Sequence, residues 1–221
     1  MSLSCKDEVG WLMKKKGVFI CIEGIDASGK TTQAHLLVEE LQRRDFEAEY
    51  TTEPSRGKIG EFIRTYVLQR GKRVPSAVEA LFFAVDRVDH VERRINPALR
   101  RGKIVVCDRY VYSSLAYQGA AGLDLKWIKE INRLAVPADL AIYIDVPPEI
   151  VVKRIKRKKS VMERLRIQEK VREVYMQFVK EGRLTLIDGD RPAEEVAKDI
   201  LAVVLNFLKV KAPVGSSHST I

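Results

Sequence analysis

The sequence has no apolar run approaching the roughly 20 residues that a membrane-spanning helix needs. Charges on both sides of the Trp11–Met13 triplet also leave no signal-peptide core near the N-terminus. Cysteine is scarce, and the three that occur, Cys5, Cys21 and Cys107, do not have the spacing of a metal site. Two of these lie in strand-like apolar runs, which indicates small core residues in a reducing compartment. We therefore expect a cytoplasmic protein without a membrane partner.

Aromatic residues make up only 7% of the chain, and they do not alternate with basic residues as in single-stranded nucleic-acid sites. The net charge is nonetheless +9. Part of this charge is concentrated at residues 153–159, which hold six cations in seven positions. A small anionic substrate accounts for such a cluster as well as a polymer does. We therefore expect small-molecule substrates and no nucleic-acid partner.

A glycine-rich segment directly follows the apolar, β-branched run Val18–Ile22. The segment Gly24–Thr31 reads G-x-x-x-x-G-K-T. In this context glycines let backbone amides approach phosphate oxygens, and the following helix points its N-terminal amides at the same anion. Lys30 adds a mobile charge, and the Thr31 hydroxyl can ligate Mg²⁺. The sequence thus predicts a nucleoside triphosphate site formed by Gly24, Ile25, Asp26, Ala27, Ser28, Gly29, Lys30, Thr31 and Thr32.

Apolar runs alternate with amphipathic segments along the chain, which predicts an α/β fold with a five-stranded parallel sheet and helices on both faces. The length and the 46% hydrophobic content indicate one domain at 17–211, between an N-terminal extension at 1–16 and a flexible tail at 212–221. The predicted strands are Gly17–Ile22, Phe46–Thr52, Lys103–Cys107, Asp139–Asp145 and Arg183–Ile187. The predicted helices are Lys30–Arg44, Lys58–Gln69, Ala77–Leu99, Asp124–Ala135, Pro148–Lys159, Met162–Glu181 and Pro192–Leu208.

Polar residues follow several predicted strands, among them Glu23, Glu53 and Asp108. Because ligands of parallel sheets bind beyond the carboxyl ends of the strands, we expect these residues to face one cleft. The carboxylate of Asp108 fits two interpretations, a Mg²⁺ site shared with Thr31 or a cap on the next turn. Arg109 comes next, and its planar guanidinium suits phosphate oxygens.

Several segments resemble those of thymidylate kinases, in the same order along the chain. Besides the phosphate loop they are Glu53-Pro54, Leu81–Arg87, Asp108-Arg109-Tyr110, Tyr117-Gln118-Gly119 and Tyr143–Glu149. The resemblance extends from Gly17 to about Leu208. It implies a P-loop kinase fold with a short helical lid at about 153–165. It also implies transfer of a phosphoryl group from ATP to dTMP with Mg²⁺, in a homodimer.

The resemblance further implies a site for the acceptor nucleotide. Phe83 and Arg87 lie four residues apart on one helix face, where the ring would stack on thymine and the guanidinium would donate to its carbonyl edge. A core phenylalanine beside a solvated arginine is the alternative. Asp26 is similar to the residue that reaches the monophosphate and sugar, and Tyr117 would exclude a ribose hydroxyl. The other implied substrate-binding residues are Glu53, Arg109, Ser114 and Gln118.

Two positions depart from the family pattern. Thr52 stands where the family has an arginine, so that phosphate contact must come from elsewhere, and Arg56 is the nearest candidate. Ala27 stands where some thymidylate kinases carry a catalytic arginine. The resemblance therefore assigns the missing charge to the lid, for which a merely solvated helix face is the alternative. The implied catalytic residues are Lys30, Arg109, Arg154, Arg157 and Lys158.

Three other functions fit parts of the sequence. A kinase for another pyrimidine nucleotide or a deoxynucleoside would share the fold and the donor site. A regulatory GTPase would carry an Asn-Lys-x-Asp guanine signature, which the sequence lacks. A nucleic-acid-dependent ATPase would bind its polymer with a steep dependence on salt.

Overall fold

The computed structural model describes residues 17–68, 74–154 and 161–211. Its strands are β1 (Val18–Glu23), β2 (Ala48–Thr52), β3 (Ile104–Asp108), β4 (Leu140–Asp145) and β5 (Thr185–Asp188). They form one parallel sheet in the order β2-β3-β1-β4-β5. The predicted five-stranded sheet is confirmed, and each strand lies within two residues of its predicted bounds. The predicted extension, the predicted tail and the middle of the lid lie outside the described residues.

The helices are α1 (Lys30–Gln42), α2 (Lys58–Phe62), α3 (Ser76–His90), α4 (Asn96–Arg100), α5 (Val111–Ala120), α6 (Leu125–Ile131), α7 (Pro148–Arg154), α8 (Val161–Lys180) and α9 (Ala193–Lys211). Two predicted single helices contain a π-helical turn. The turn Ile63–Val67 continues α2, and the turn Val91–Ile95 joins α3 to α4. Helix α5 was not predicted. The part of the predicted helix Pro148–Lys159 beyond Arg154 lies outside the described residues.

The hydrophobic core lies on both faces of the sheet. Every residue of β1 is buried, and successive strand residues point to opposite faces, so both faces are covered. Helix α1 packs against α9, and α5 packs against α8. Within the described residues, no helix combines the length and apolar character needed to cross a bilayer.

The strand register brings the polar strand ends together at one edge of the sheet. Thr52 pairs with Asp108 across β2 and β3, and Asp145 pairs with Asp188 across β4 and β5. Glu23 ends β1, the central strand between β3 and β4. The expectation that these residues gather beyond the carboxyl ends of the strands is therefore met, and this edge carries the candidate site.

Candidate active site

The loop between β1 and α1 has the close packing that its glycines permit. A Cβ added at Gly24 would lie 2.5 Å from Ser28 Oγ and 2.9 Å from the carbonyl oxygen of Ile144. Gly29 adopts a left-handed backbone with φ of 94°, and Ala27 does so with φ of 57°. Gly24 and Gly29 thus stand where a side chain would clash with a neighbour or strain the backbone.

Lys30 is almost completely buried beneath this loop, with 5% of its surface exposed. Its Nζ donates to the carbonyl oxygen of Ile25 at 2.5 Å and to Ser28 Oγ at 3.4 Å. Burial, reinforced by the nearby Arg109 charge, lowers the pKa of Lys30 to about 7. A bound polyphosphate would favour the charged form, so the position of Lys30 suits an anion that arrives at the loop.

Thr31 and Asp108 meet at the start of α1. Thr31 Oγ1 donates to Asp108 Oδ2. Within the described residues, the buried Oδ1 of Asp108 has no hydrogen-bond partner. A hydroxyl and a buried, partly unsatisfied carboxylate are the oxygen ligands that Mg²⁺ prefers. This pair therefore fits a Mg²⁺ ion held beside the phosphate loop. A turn cap would accept a hydrogen bond from a backbone amide, and within the described residues no donor reaches Asp108 Oδ1.

Arg109 connects the phosphate loop to Asp26 and Tyr117. Arg109 Nη2 lies 2.7 Å from Asp26 Oδ1, and Nη1 donates to the carbonyl oxygen of Gly24 at 3.3 Å. Tyr117 donates its hydroxyl to the same Asp26 oxygen at 2.9 Å, and its ring lies 5.2 Å from the Arg109 guanidinium. Burial raises the pKa of Tyr117, so its hydroxyl remains a donor. The three predicted residues Asp26, Arg109 and Tyr117 form one cluster.

Arg87 is buried at the centre of a polar network, with 2% of its surface exposed. Its Nη2 lies 2.7 Å from Glu53 Oε2, and its Nη1 donates to Asn132 Oδ1. Nη2 also donates to the carbonyl oxygen of Tyr110 and to Ser114 Oγ, both at 3.2 Å. The structure thus brings Arg87, Glu53 and Ser114 together, and the alternative of a solvated arginine does not apply.

The cluster around Arg109 and the network around Arg87 are adjacent, because Arg109 and Tyr110 are consecutive residues. Arg109 faces Asp26 of the phosphate loop, while the carbonyl of Tyr110 accepts from Arg87. A family model described as thymidylate kinase matches residues 22–200 of this sequence. The chain belongs to the thymidylate kinase family.

Curated relatives are similar over nearly the whole chain. The sequence is 42% identical over 201 residues to a probable thymidylate kinase of Pyrococcus abyssi. The alignment covers 87% of this chain and 98% of that protein. It is also 42% identical over 189 residues to a probable thymidylate kinase of Pyrobaculum calidifontis. That alignment covers 85% of this chain and 95% of the relative. The resemblance inferred from the sequence segments is confirmed.

In this thymidylate kinase family member, two other predicted residues lie beside the Arg87 network. Phe83 is half-buried, one turn before Arg87 on α3. Gln118 is buried and donates its amide to Glu79 Oε1 at 3.0 Å. Its own Oε1 has no hydrogen-bond partner within the described residues, which leaves an acceptor available for a ligand.

Arg56 and Arg154 lie at opposite sides of the edge. Arg56 is exposed, and its guanidinium lies 5.9 Å from the centre of the Tyr50 ring, which places it near the end of β2. Arg154 Nη1 donates to the carbonyl oxygen of Ala27 at 3.4 Å, so a lid residue contacts the phosphate loop. The predicted catalytic residues Arg157 and Lys158 lie outside the described residues.

Among the residues that support the site and that sequence reasoning missed are His90, Thr51 and Gln168. His90 Nδ1 lies 3.1 Å from Glu53 Oε1, and its Nε2 lies 2.6 Å from Thr51 Oγ1. Gln168 of α8 accepts a hydrogen bond from the backbone amide of Asp26 at 3.2 Å. The position of His90, one helical turn after Arg87, is a signal that the sequence contains. Thr51 and Gln168 have no comparable signal.

Proposed function

We propose that the protein transfers the γ-phosphoryl group of ATP to dTMP, giving ADP and dTDP, with Mg²⁺ held by Thr31 and Asp108. The observation that carries this proposal is the adjacency of a phosphate loop and a buried arginine network through Arg109 and Tyr110. Family membership supports the choice of dTMP as acceptor. The cytoplasmic location stays a prediction from the sequence.

Phosphoryl transfer requires mainly that two anions be aligned and their repulsion be reduced. The amides of residues 24–31 and the ammonium of Lys30 would hold the donor phosphates. Thr31 and Asp108 would hold Mg²⁺, which when bound would neutralise part of the phosphate charge. Arg109 would lie between donor and acceptor phosphates, since it already contacts Gly24 of the loop and Asp26 beside it.

The acceptor would occupy the space between Asp26 and the Arg87 network. Tyr117, held by Asp26, would face the sugar and exclude a 2′-hydroxyl. Phe83 would stack on the base, while Arg87 and Ser114 would recognise its polar edge. The amide oxygen of Gln118, which has no hydrogen-bond partner within the described residues, would contact the same edge. Arg56 would take the phosphate contact that the family's arginine makes at position 52, and Glu53 would position Arg87.

The experiment that tests this function is a coupled ADP-release assay across nucleoside monophosphates and deoxynucleosides. We expect dTMP to be the best acceptor, and dTMP to raise the unfolding temperature more than other monophosphates do. A preference for another pyrimidine nucleotide or a deoxynucleoside would overturn dTMP specificity while keeping the kinase fold. ATP turnover that requires a polymer would overturn the small-molecule acceptor altogether.

We propose that the lid supplies the charge that Ala27 does not. Arg154 is exposed and already contacts the Ala27 carbonyl, and Arg157 and Lys158 follow in the sequence. Closing the lid would also exclude water, which competes with dTMP as acceptor.

Replacing Arg154 with alanine is expected to lower kcat by roughly 10–100-fold, the effect of one charge-assisted hydrogen bond, with little change in either KM. Steady-state kinetics measures this, and Lys153→Ala, an exposed neighbour on α7, is the matched control. Normal kcat after joint replacement of Arg154, Arg157 and Lys158 would show that the lid cations are only a solvated surface.

We propose a homodimer that forms through α3. An apolar groove lies along this helix, and it is lined by Leu81 and Val85 of α3 and by Leu134 of the segment after α6. The exposed fractions of these residues are 46%, 53% and 65%. Charges of both signs line the groove, among them Glu92 and Arg133. In a two-fold interface such charges can pair reciprocally around an apolar centre, and the family resemblance implies the same assembly.

A Val85→Glu variant is expected to raise the dimer Kd at least roughly tenfold, because a two-fold axis brings the new charge into the apolar interface twice. Light scattering at micromolar concentration should give twice the chain mass for the unmodified protein and a lower mass for the variant. Val210→Glu, on α9 and 80% exposed, is the matched control. A single-chain mass for the unmodified protein would exclude a stable dimer.

A further inference from the structure

Glu23 is a completely buried carboxylate at the end of β1, one residue before the phosphate loop, and its exposed fraction is 0%. Burial raises its pKa, whereas hydrogen bonds from Ser113 and Tyr175 and the Arg109 charge act in the opposite direction. Burying a carboxylate is costly unless donors surround it. None of the steps proposed above uses Glu23, so its presence needs another explanation.

Arg109 has an unusual backbone conformation. Its φ is +70°, in the left-handed region that a residue with a Cβ rarely adopts. This conformation turns the chain between β3 and α5 and accompanies a side chain that contacts Asp26 and the loop. Such a conformation persists where the surrounding structure holds it, and it occurs often at functional sites.

The structure holds Arg109 from both sides through consecutive residues of β1. The Arg109 amide donates to the carbonyl oxygen of Ile22 at 3.0 Å. Glu23 Oε1 then accepts the amides of Tyr110 at 2.9 Å and Ser113 at 3.3 Å. Because Tyr110 is the N-cap of α5 and Ser113 lies in its first turn, the carboxylate also lies at the positive end of that helix.

Glu23 also reaches the Arg109 side chain through one hydroxyl. Ser113 Oγ donates to Glu23 Oε2 at 2.6 Å and accepts from Arg109 Nη1 at 3.2 Å. Tyr175 of α8, the helix that follows the lid, donates its hydroxyl to the same Glu23 oxygen at 3.0 Å. The Glu23 carboxylate, at the start of the phosphate loop, is thus hydrogen-bonded to the backbone that follows Arg109 and to α8. Through the Ser113 hydroxyl it is also linked to the Arg109 side chain.

We infer that Glu23 is a positioning residue for phosphoryl transfer, which acts by holding the Arg109 guanidinium between the donor and acceptor phosphates. The inference rests on the proposed function in that it assigns Arg109 to the transferring phosphoryl group. A purely structural role, in which Glu23 only caps α5, is the competing explanation, and the two differ in how Glu23 and Arg109 couple in kcat.

The test is a double-mutant cycle of Glu23→Gln and Arg109→Ala. For each variant we would measure kcat, the KM for each nucleotide and the unfolding temperature. The amide keeps the shape of Glu23 but not its charge, and one of the two acceptor oxygens becomes an NH₂ donor. We expect Glu23→Gln alone to lower kcat roughly tenfold, the effect of one hydrogen-bonded charge, with the KM for MgATP nearly unchanged. In the Arg109→Ala background we expect less than about a twofold further loss, because residues that act through each other are not additive.

Equal losses from Glu23→Gln in both backgrounds would overturn the inference and leave Glu23 as a helix cap. So would an Arg109→Ala variant with normal kcat. Should Glu23→Gln not fold, the same cycle with Ser113→Ala removes the hydroxyl link alone and is expected to show the same coupling. The cycle uses whichever acceptor the unmodified protein phosphorylates best. A failure of dTMP specificity is therefore read from the acceptor panel, separately from the coupling.

Discussion

Replacing Lys30 with alanine is expected to lower kcat by roughly 10²–10³-fold, the effect of one lost group that stabilises charge in the transition state. Lys30 is the buried cation of the phosphate loop, and its Nζ contacts the carbonyl oxygen of Ile25 and the hydroxyl of Ser28. The measurement is steady-state ADP release with MgATP and dTMP. A Lys30→Ala variant with near-normal activity would remove Lys30 from the mechanism.

The fold of the Lys30→Ala variant is expected to remain intact. The pKa of Lys30 is about 7 in the folded protein and 10.5 in its ordinary state, so the unfolded chain binds more protons between these values. In the unmodified protein, stability therefore rises with pH across that window, and protonation of Lys30 at lower pH opposes folding. The variant lacks this contribution, and chemical denaturation at pH 7 should find it no less stable.

The lowered pKa of Lys30 has a second consequence, for nucleotide binding. Phosphate oxygens favour the charged lysine, so MgATP binding near pH 8 should take up about one proton, and the affinity should fall as pH rises above 7. Calorimetry in buffers of different ionisation enthalpy measures this uptake. The Lys30→Ala variant is the control and should take up fewer protons than the unmodified protein. Equal uptake by both would show that the proton binds elsewhere.

The sheet could be predicted because its strands carry their signal locally. β1 and β3 are apolar, β-branched runs that are buried along their full length, and all five strands occur at the predicted places. Helix α5 could not be predicted in this way, because it begins with Val111-Tyr112-Ser113-Ser114, and these residue types have low helix propensity. Its first turn is held by Glu23, which lies 87 residues before Tyr110. No local pattern contains that contact.

Several residues that gather at the candidate site could be named from the sequence, but their pairings could not. The spacing of Phe83 and Arg87 indicates a shared helix face, yet it does not show that Glu53, 34 residues earlier, is the ion-pair partner of Arg87. Asn132 lies 45 residues after Arg87 and comes from α6's C-terminal end, where the sequence shows no functional pattern. Such partners depend on how helices pack, which sequence periodicity does not specify.

Replacing Arg87 with alanine is expected to lower the free energy of unfolding by about 3–5 kcal/mol, since removing one partner of a buried ion pair leaves the other charge uncompensated. Glu53 is that charge. Its side chain is 3% exposed, and His90 remains its neighbour, with Nδ1 3.1 Å from Glu53 Oε1. Urea denaturation measures the loss. Arg43→Ala is the matched control, because the Arg43 side chain is 68% exposed and pairs on the surface of α1 with Glu39 and Glu40, so its removal should change stability little.

The same Arg87→Ala variant also tests acceptor recognition, which the stability loss alone does not. Where the variant remains folded, we expect dTMP use to weaken by roughly 2–3 kcal/mol, because a charged hydrogen bond to the base is lost, while MgATP affinity barely changes. Adding Glu53→Gln removes the stranded charge, so the double variant should recover part of the stability but none of the dTMP affinity. Recovery of both, or equal weakening of both nucleotides, would make Arg87 a structural residue and would leave recognition of the base to Phe83 and Gln118.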